Sequence, residues 1–299
     1  MNSFFELLAR ERVLVSDGAM GTELQKCGLE PGACPEALNI ESPETVSRVH
    51  RSYAEAGSDI ILTNTFGVNR SRLKLHSFEE RVKEFCVAGA ELARSFAESK
   101  NILIAGSIGP CGDILSPLGT LEEDEAFEIF REPAKALAGA GVDLIVIETM
   151  MAPEEAVVAL KAVKSVTTIP VVVSMTYEKG LSGIKTLWGT DIPTAAEILE
   201  KNGADVIGAN CGKGFDEMEE IGMLLRESTK LPLWLKANAG IPEWIDGKPV
   251  YTQGPEYIRN YIEKMVTLYP CVIGGCCGST PGHIKTVRET VNLYKSKFI

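Results

Sequence analysis

Ala140-Gly141-Val142-Asp143-Leu144-Ile145-Val146 joins the end of one periodic segment to the start of an apolar run. Glycine permits the left-handed backbone that closes a helix, and a short run without polar interruption suits a strand covered on both faces, as in a parallel sheet. The same joint recurs upstream as Ala56-Gly57-Ser58-Asp59-Ile60-Ile61-Leu62 and downstream as Asn202-Gly203-Ala204-Asp205-Val206-Ile207. A repeated helix stop followed by a buried strand marks one structural unit used several times. Working outward, apolar runs predict eight strands, at 13–17, 60–65, 103–108, 144–149, 171–176, 206–211, 233–238 and 271–277. Helical periodicity between them predicts helices such as 43–56, 78–97, 126–140, 154–166, 192–202 and 255–268. Alternation of eight strands with eight helices predicts an α/β fold, a (β/α)8 barrel forming one domain over residues 1–299. A doubly wound open sheet is the alternative that this alternation allows, but its phosphate fingerprint is missing.

The composition narrows the partners. A formal charge of −11 opposes binding to nucleic acid or to an anionic membrane, because a phosphate-binding face needs clustered Lys and Arg. Glu6, Arg10, Glu11 and Arg12 interrupt the N-terminal apolar residues, so the segment does not read as a signal peptide. No stretch reaches the roughly 20 apolar residues of a membrane span. Hydrophobic content of 45% suits a protein with a substantial core, and the expected compartment is the cytoplasm. There, eight cysteines read as free thiols and ligands rather than as a disulfide framework.

Both folds place chemistry at the C-terminal ends of the strands, where the unusual residues fall: Asp17, Asn64, Glu148, Cys211, Asn238, Cys276 and Cys277. Three of them are thiols. Cys211 ends one strand, and Cys276-Cys277, framed by glycines, end another that a barrel brings to the same rim. Soft thiolates favour zinc, and a catalytic zinc takes three protein ligands, leaving one position open. A vicinal disulfide is the alternative for the adjacent pair. Cys86 and Cys271 read as small buried hydrophobes, and Cys27, Cys34 and Cys111 as loop thiols outside the metal shell. A free thiol of pKa about 8.5 is only a few per cent ionised at pH 7, so the site reads as a device for activating an external thiol.

Asp17 and Glu148 end apolar strands, and a carboxylate in such a place needs a partner, which a substrate ammonium would supply. For Asp17 a helix cap or an internal ion pair is an equal alternative. Glycine-rich amides from Gly18 through Ala19 to Gly21 are expected to be free for a substrate carboxylate. A thiol, an ammonium and a carboxylate together describe an amino-acid thiol.

These residues resemble the homocysteine S-methyltransferase family, and within it the N-terminal homocysteine-binding barrels of cobalamin-dependent methionine synthases. The resemblance rests on Asp17-Gly18-Ala19-Met20-Gly21-Thr22, Pro35-Glu36-Ala37-Leu38-Asn39, Leu62-Thr63-Asn64-Thr65-Phe66, Ile108-Gly109-Pro110, Glu148-Thr149, Asn210-Cys211, Asn238-Ala239-Gly240 and Gly274-Gly275-Cys276-Cys277-Gly278. It implies zinc held by Cys211, Cys276 and Cys277, homocysteine bound as a further thiolate, Asp17 with Glu148 on its amino group, and methionine as product. Asn238, through its amide oxygen, is a further candidate at the open zinc position.

The departures bear on the methyl donor. Gly67 and Thr149 follow Phe66 and Glu148, so the aromatic cage that a quaternary ammonium requires is not expected. No corrinoid-ligating Asp-x-His-x-x-Gly is present, because Arg48, Lys74 and Pro281 lie two residues before His50, His76 and His283. A methylcobalamin or other methylcorrinoid donor must therefore come on a partner, a corrinoid protein with a second methyltransferase subunit. A small sulfonium donor such as S-methylmethionine, or a non-catalytic homocysteine- or zinc-binding subunit, are the competing readings.

Overall fold

The computed structural model describes residues 3–97, 101–245 and 248–295. Eight parallel strands carry the fold: β1 (Val13–Val15), β2 (Ile60–Leu62), β3 (Leu103–Ile108), β4 (Leu144–Met150), β5 (Val171–Met175), β6 (Val206–Cys211), β7 (Leu233–Ala237) and β8 (Cys271–Gly275). Each pairs with its sequence neighbour and β8 returns to β1, with Val13 opposite Cys271 and Val15 opposite Ile273. A bridge between Ser16 and Ile60 joins β1 to β2 and closes the ring. The helices behind the strands are α1 (Pro43–Ala56), α2 (Val82–Ala97), α3 (Glu123–Gly139), α4 (Pro153–Lys164), α5 (Ile192–Lys201), α6 (Phe215–Ser228), α7 (Pro255–Met265) and α8 (Pro281–Lys295). The architecture is the expected (β/α)8 barrel.

The repeated joint behaves as its residues dictate. Gly57, Gly141 and Gly203 are left-handed, at φ 101°, 78° and 89°. The aspartate of each joint then accepts from a backbone amide of the preceding strand. Asp59 accepts from the Val15 amide at 2.8 Å, Asp143 from Ile104 at 2.7 Å and Asp205 from Val171 at 2.8 Å. Each carboxylate satisfies a backbone donor that would otherwise lie unpaired at the bottom of the sheet.

Inside the ring, Leu14, Ile60, Leu62, Leu103, Ala105, Leu144, Val146, Val172, Val206, Trp234 and Val272 form an apolar plug. An N-terminal helix, Ser3–Glu11, closes its lower end with Phe4 and Leu8. Gly208, the register partner of Trp234 on the adjacent strand, has no room for a side chain, because a Cβ there would lie 1.9 Å from the Trp234 carbonyl oxygen. Side chains alternate in and out along a strand, so the next inward positions above the plug are Ser107, Glu148, Ser174, Asn210 and Lys236. All five are buried. The apolar plug thus carries a polar floor facing the C-terminal mouth.

Several boundaries differ from expectation. β1, β2, β5, β7 and β8 stop one to three residues short, leaving Asp17, Asn64, Asn238, Cys276 and Cys277 on the turns just above the rim. Helix α3 starts earlier than its apolar period, because Glu123, Asp124 and Glu125 suit the positive end of the helix dipole. Two antiparallel hairpins, Glu178–Gly180 with Gly183–Lys185 and Pro242–Ile245 with Lys248–Tyr251, stand above the mouth and were not expected. Among the described residues, no helix is long and apolar enough to cross a membrane.

Candidate functional site

Cys211 ends β6, while Cys276 and Cys277 begin the turn after β8. Their sulfurs lie within 4.8 Å of one another, and Cys211 Sγ to Cys276 Sγ is 3.2 Å. Zinc–sulfur bonds of about 2.3 Å in a tetrahedron set sulfurs about 3.8 Å apart, a value inside this range. The donor set therefore fits a soft divalent ion such as zinc. Hydrogen bonds from Cys211 and then Cys276 pull the Cys277 thiol well below the ordinary cysteine range, while the facing sulfurs push Cys211 up. The Cys276-Cys277 turn is fixed by Ser279, whose hydroxyl donates to the Cys276 carbonyl at 2.7 Å, and by the Ala239 amide, which donates to the Cys277 carbonyl at 2.9 Å.

Beside the thiols, Asn210 uses both ends of its amide. Its Oδ1 accepts from the Thr149 amide at 2.8 Å and from the Ser174 hydroxyl at 2.7 Å. Its Nδ2 donates to Thr149 Oγ1 at 2.8 Å, to Cys211 Sγ at 3.4 Å and, at longer range, to Cys276 Sγ at 4.0 Å. Thr149 and Cys211 are both left-handed without being glycine, at φ 64° and 66°. Such residues hold about 1–3 kcal/mol of strain each, and they persist where surrounding structure over-determines them. Asn210 is the side chain that grips both. Replacing it with aspartate keeps its shape but sets a carboxylate against the sulfurs. Zinc affinity is then expected to fall about 10–100-fold, read by competition with a chromophoric chelator. Unchanged affinity would show that the N–H···S contacts do not tune the site.

The carboxylates occupy the floor beneath. Glu148 is buried, and its Oε1 accepts from Ser107 Oγ at 2.5 Å. Burial pushes its pKa up to about 7, against the pull of Lys236. Asp17 is the internal ion pair that its sequence left open: its Oδ1 lies 2.6 Å from Lys236 Nζ, and its Oδ2 accepts from the Leu62 amide at 2.8 Å. Both side chains of the pair are nearly sealed from solvent, at 3% and 4% exposure. Burial opposes the Lys236 ammonium, yet Asp17 and Glu148 outweigh it and hold its pKa above the ordinary lysine value.

Other candidates separate. Asn238 donates through Nδ2 to the Gly212 carbonyl at 2.7 Å, and its Oδ1 is buried without a protein partner among the described residues. An orphaned acceptor beside Cys211 is the kind of group a ligand completes. The Ala19 amide, expected to be free, donates to Ser279 Oγ at 3.1 Å, because the β1 and β8 loops are laced together. Gly18 is needed there for packing, since a Cβ would fall 2.6 Å from the Tyr53 ring. Asn64 is structural, bonded to the Pro35 carbonyl and to Asn39. Cys34 and Cys111 stay apart from the triad. Each is buried near a carboxylate, Glu36 and Glu155 respectively, and burial first, then that charge, pushes each thiol up to about 12. Sequence reasoning missed Lys236 and gave Asn210 no role.

A cavity of about 1110 Å³ is lined by Thr149, Phe66, Leu115, Met151, Leu187 and Trp188 among others and extends to Val158 and Ile198 on α4 and α5; the three cysteines, Asp17 and Glu148 do not line it. Arg72 lies over the Phe66 ring at 5.7 Å, so that aromatic face already has a cation.

Comparison with known proteins accords with this geometry. The family model described as homocysteine S-methyltransferase matches residues 14–291. Methionine synthases of Mycobacterium leprae and Mycobacterium tuberculosis are each 32% identical over 300 residues, covering 94% of this chain. The chain spans only about a quarter of their length, 24% and 25%. Among solved structures, the metallated form of the Escherichia coli homocysteine methyltransferase MmuM superposes with a TM-score of 0.80 at 22% identity, covering 95% of this chain and 98% of that one. Its oxidized form gives 0.82 over 97% and 99%. The barrel, its cysteine centre and a family match spanning nearly the whole chain lead to one assignment: the protein belongs to the homocysteine S-methyltransferase family.

Proposed function

We propose that this barrel, acting as a single cytoplasmic domain, is a zinc-dependent methyltransferase that converts homocysteine to methionine with a methyl group from a methylcorrinoid on a partner protein. The observation that carries the reading is the cluster of Cys211, Cys276 and Cys277 at the mouth of a barrel floored by buried charge. Zinc, when bound there, supplies a Lewis acid that ionises an incoming thiol at neutral pH.

The chain's own residues do the rest. Cys211, Cys276 and Cys277 provide three anionic sulfurs, and so much negative charge keeps electron density on the substrate sulfur rather than draining it to the metal. Glu148 and the Asp17–Lys236 pair give the floor one carboxylate in excess beneath the substrate ammonium, and the orphaned Asn238 Oδ1 offers an acceptor at the same rim. The Gly18-Ala19 loop would flank the substrate carboxylate. In the reaction a sulfur–carbon bond forms, the donor–methyl bond breaks with its electron pair left on the donor, and the thiol proton passes to solvent.

The cavity that reaches Thr149 marks the side from which a donor on a partner would approach. Its rim exposes Leu118, Leu187 and Trp188, an apolar surface fitted to a partner that carries the corrinoid. Zinc-loaded protein given homocysteine and free methylcobalamin is expected to form methionine, and to form none from S-methylmethionine. Methionine from the sulfonium alone would overturn the donor assignment.

A further inference from the structure

Tyr251, the last residue of the hairpin that follows β7, packs against the cysteine turn. Its half-buried ring fills the place that a side chain at position 278 would take. A Cβ on Gly278 would lie 2.1 Å from Tyr251 Cγ and 2.2 Å from its Cδ1. Gly278 directly follows Cys277 and is left-handed at φ 78°, so glycine both suits the turn and leaves room for the ring. The charges of Cys277, Cys276 and Cys211 all reach the phenol, and no hydrogen bond among the described residues ties its hydroxyl. Packing therefore places this ring beside the thiols.

The base of the hairpin is fixed on both legs. The Ala239 amide donates to the Cys277 carbonyl at 2.9 Å, and the Ala239 carbonyl accepts from the Gln253 amide at 3.0 Å. Gln253 accepts through Oε1 from the Phe215 amide at 2.9 Å and donates through Nε2 to Asp216 at 2.9 Å, while its carbonyl accepts from His283 Nε2 at 2.7 Å. A ring carried two residues from such an anchor is a preorganised surface. On the other flank of the thiols, Asn210 holds Thr149 beside Cys211. A substrate sulfur that joins the three cysteines is thus bordered on two sides.

In a displacement at carbon the leaving group stands in line behind the carbon, toward the mouth, and the other substituents of that carbon spread sideways. A methyl group spreads only hydrogens, whereas a longer alkyl group carries a carbon outward. Resting on the zinc-thiolate reading above, we infer that Tyr251 is a specificity-determining residue: its ring walls one side of the substrate sulfur and restricts the transferred group to methyl. The ring does this, and the hydroxyl does not take part.

The test alkylates homocysteine on the zinc-loaded protein with methyl iodide or ethyl iodide, quantifies the S-methyl and S-ethyl products by mass spectrometry, and takes the intrinsic ratio from free homocysteine thiolate. In both reactions a sulfur–carbon bond forms, the carbon–iodine bond breaks with its electron pair leaving on iodide, and the thiol proton passes to solvent. Wild type is expected to favour methyl at least about tenfold beyond the intrinsic ratio, the scale on which a pocket discriminates one methylene. Tyr251→Ala is expected to return the ratio to the intrinsic value by raising ethyl transfer, and Tyr251→Phe to keep the wild-type ratio. Calorimetry gives the same comparison without turnover: wild type is expected to bind methionine more tightly than its S-ethyl analogue, and Tyr251→Ala to bind the two alike. An intrinsic ratio in wild type, or a Tyr251→Ala variant in which both rates fall together, would overturn the inference. So would Tyr251→Phe behaving as Tyr251→Ala, because the hydroxyl would then be the working group. Cys276→Ala protein that alkylates homocysteine as fast as wild type would instead overturn the zinc-thiolate reading, and the inference with it.

Discussion

Cys276→Ala is expected to lose zinc and methionine formation together, while the barrel stays folded. Cys276 lies on the turn above β8, and the turn is held by the backbone of Ala237 and Cys277 and by the Ser279 hydroxyl rather than by its own sulfur. Removing the sulfur therefore removes a ligand and little packing. Two cysteines do not make the three-ligand set of a catalytic zinc. Without the metal a thiol is ionised only to a few per cent at pH 7, a loss of about 30-fold in nucleophile. Lost orientation of the sulfur toward the methyl group removes a further 10²-fold or more. Metal analysis and methionine quantification check this, with thermal unfolding as the control. A variant that keeps stoichiometric zinc and turnover would show that Cys276 is not a ligand.

Lys236→Met is expected to be the most destabilising single change in the floor. It leaves the Asp17 carboxylate buried and without its cation, and breaking one side of a buried pair costs about 3–5 kcal/mol. Burial already pushes the Asp17 carboxyl up, with Lys236 the main opposing influence. The double variant Asp17→Asn/Lys236→Met is expected to recover most of the loss, because replacing a whole buried pair by neutral groups is often neutral or stabilising. Chemical denaturation of the two single variants and the double variant gives the coupling directly. A Lys236→Met protein as stable as wild type would show that the pair contributes little to the fold.

The scaffold was legible because its signals are local and repeated. Three Gly-x-Asp joints predicted three strand starts, and all three glycines are left-handed as a helix stop requires. The cysteine triad was legible for a similar reason, since two adjacent cysteines in glycine are hard to read as packing. What escaped the sequence depends on which way side chains point once the ring closes. Lys236 stands two positions after Trp234, an inward plug residue, so the period of the strand turns it inward too. A lysine near a strand end reads as a solvated tip until that neighbour is known to be inside. Asn210 was hidden by the cysteine beside it, although as the inward residue after Val206 and Gly208 it had to bury an amide. The Ala19 amide was misjudged because its partner, Ser279, is 260 residues away. The hairpins above the mouth carry mixed polar and apolar residues whose short runs resemble loops.

The central claim is that three cysteines hold a metal whose remaining position takes the substrate sulfur. Zinc-edge X-ray absorption of the loaded protein, recorded before and after adding homocysteine, tests it most directly. The account predicts a shell with three sulfurs from Cys211, Cys276 and Cys277 that rises to four when homocysteine is added. Fewer than three sulfurs at the start, or no change on adding homocysteine, would contradict it.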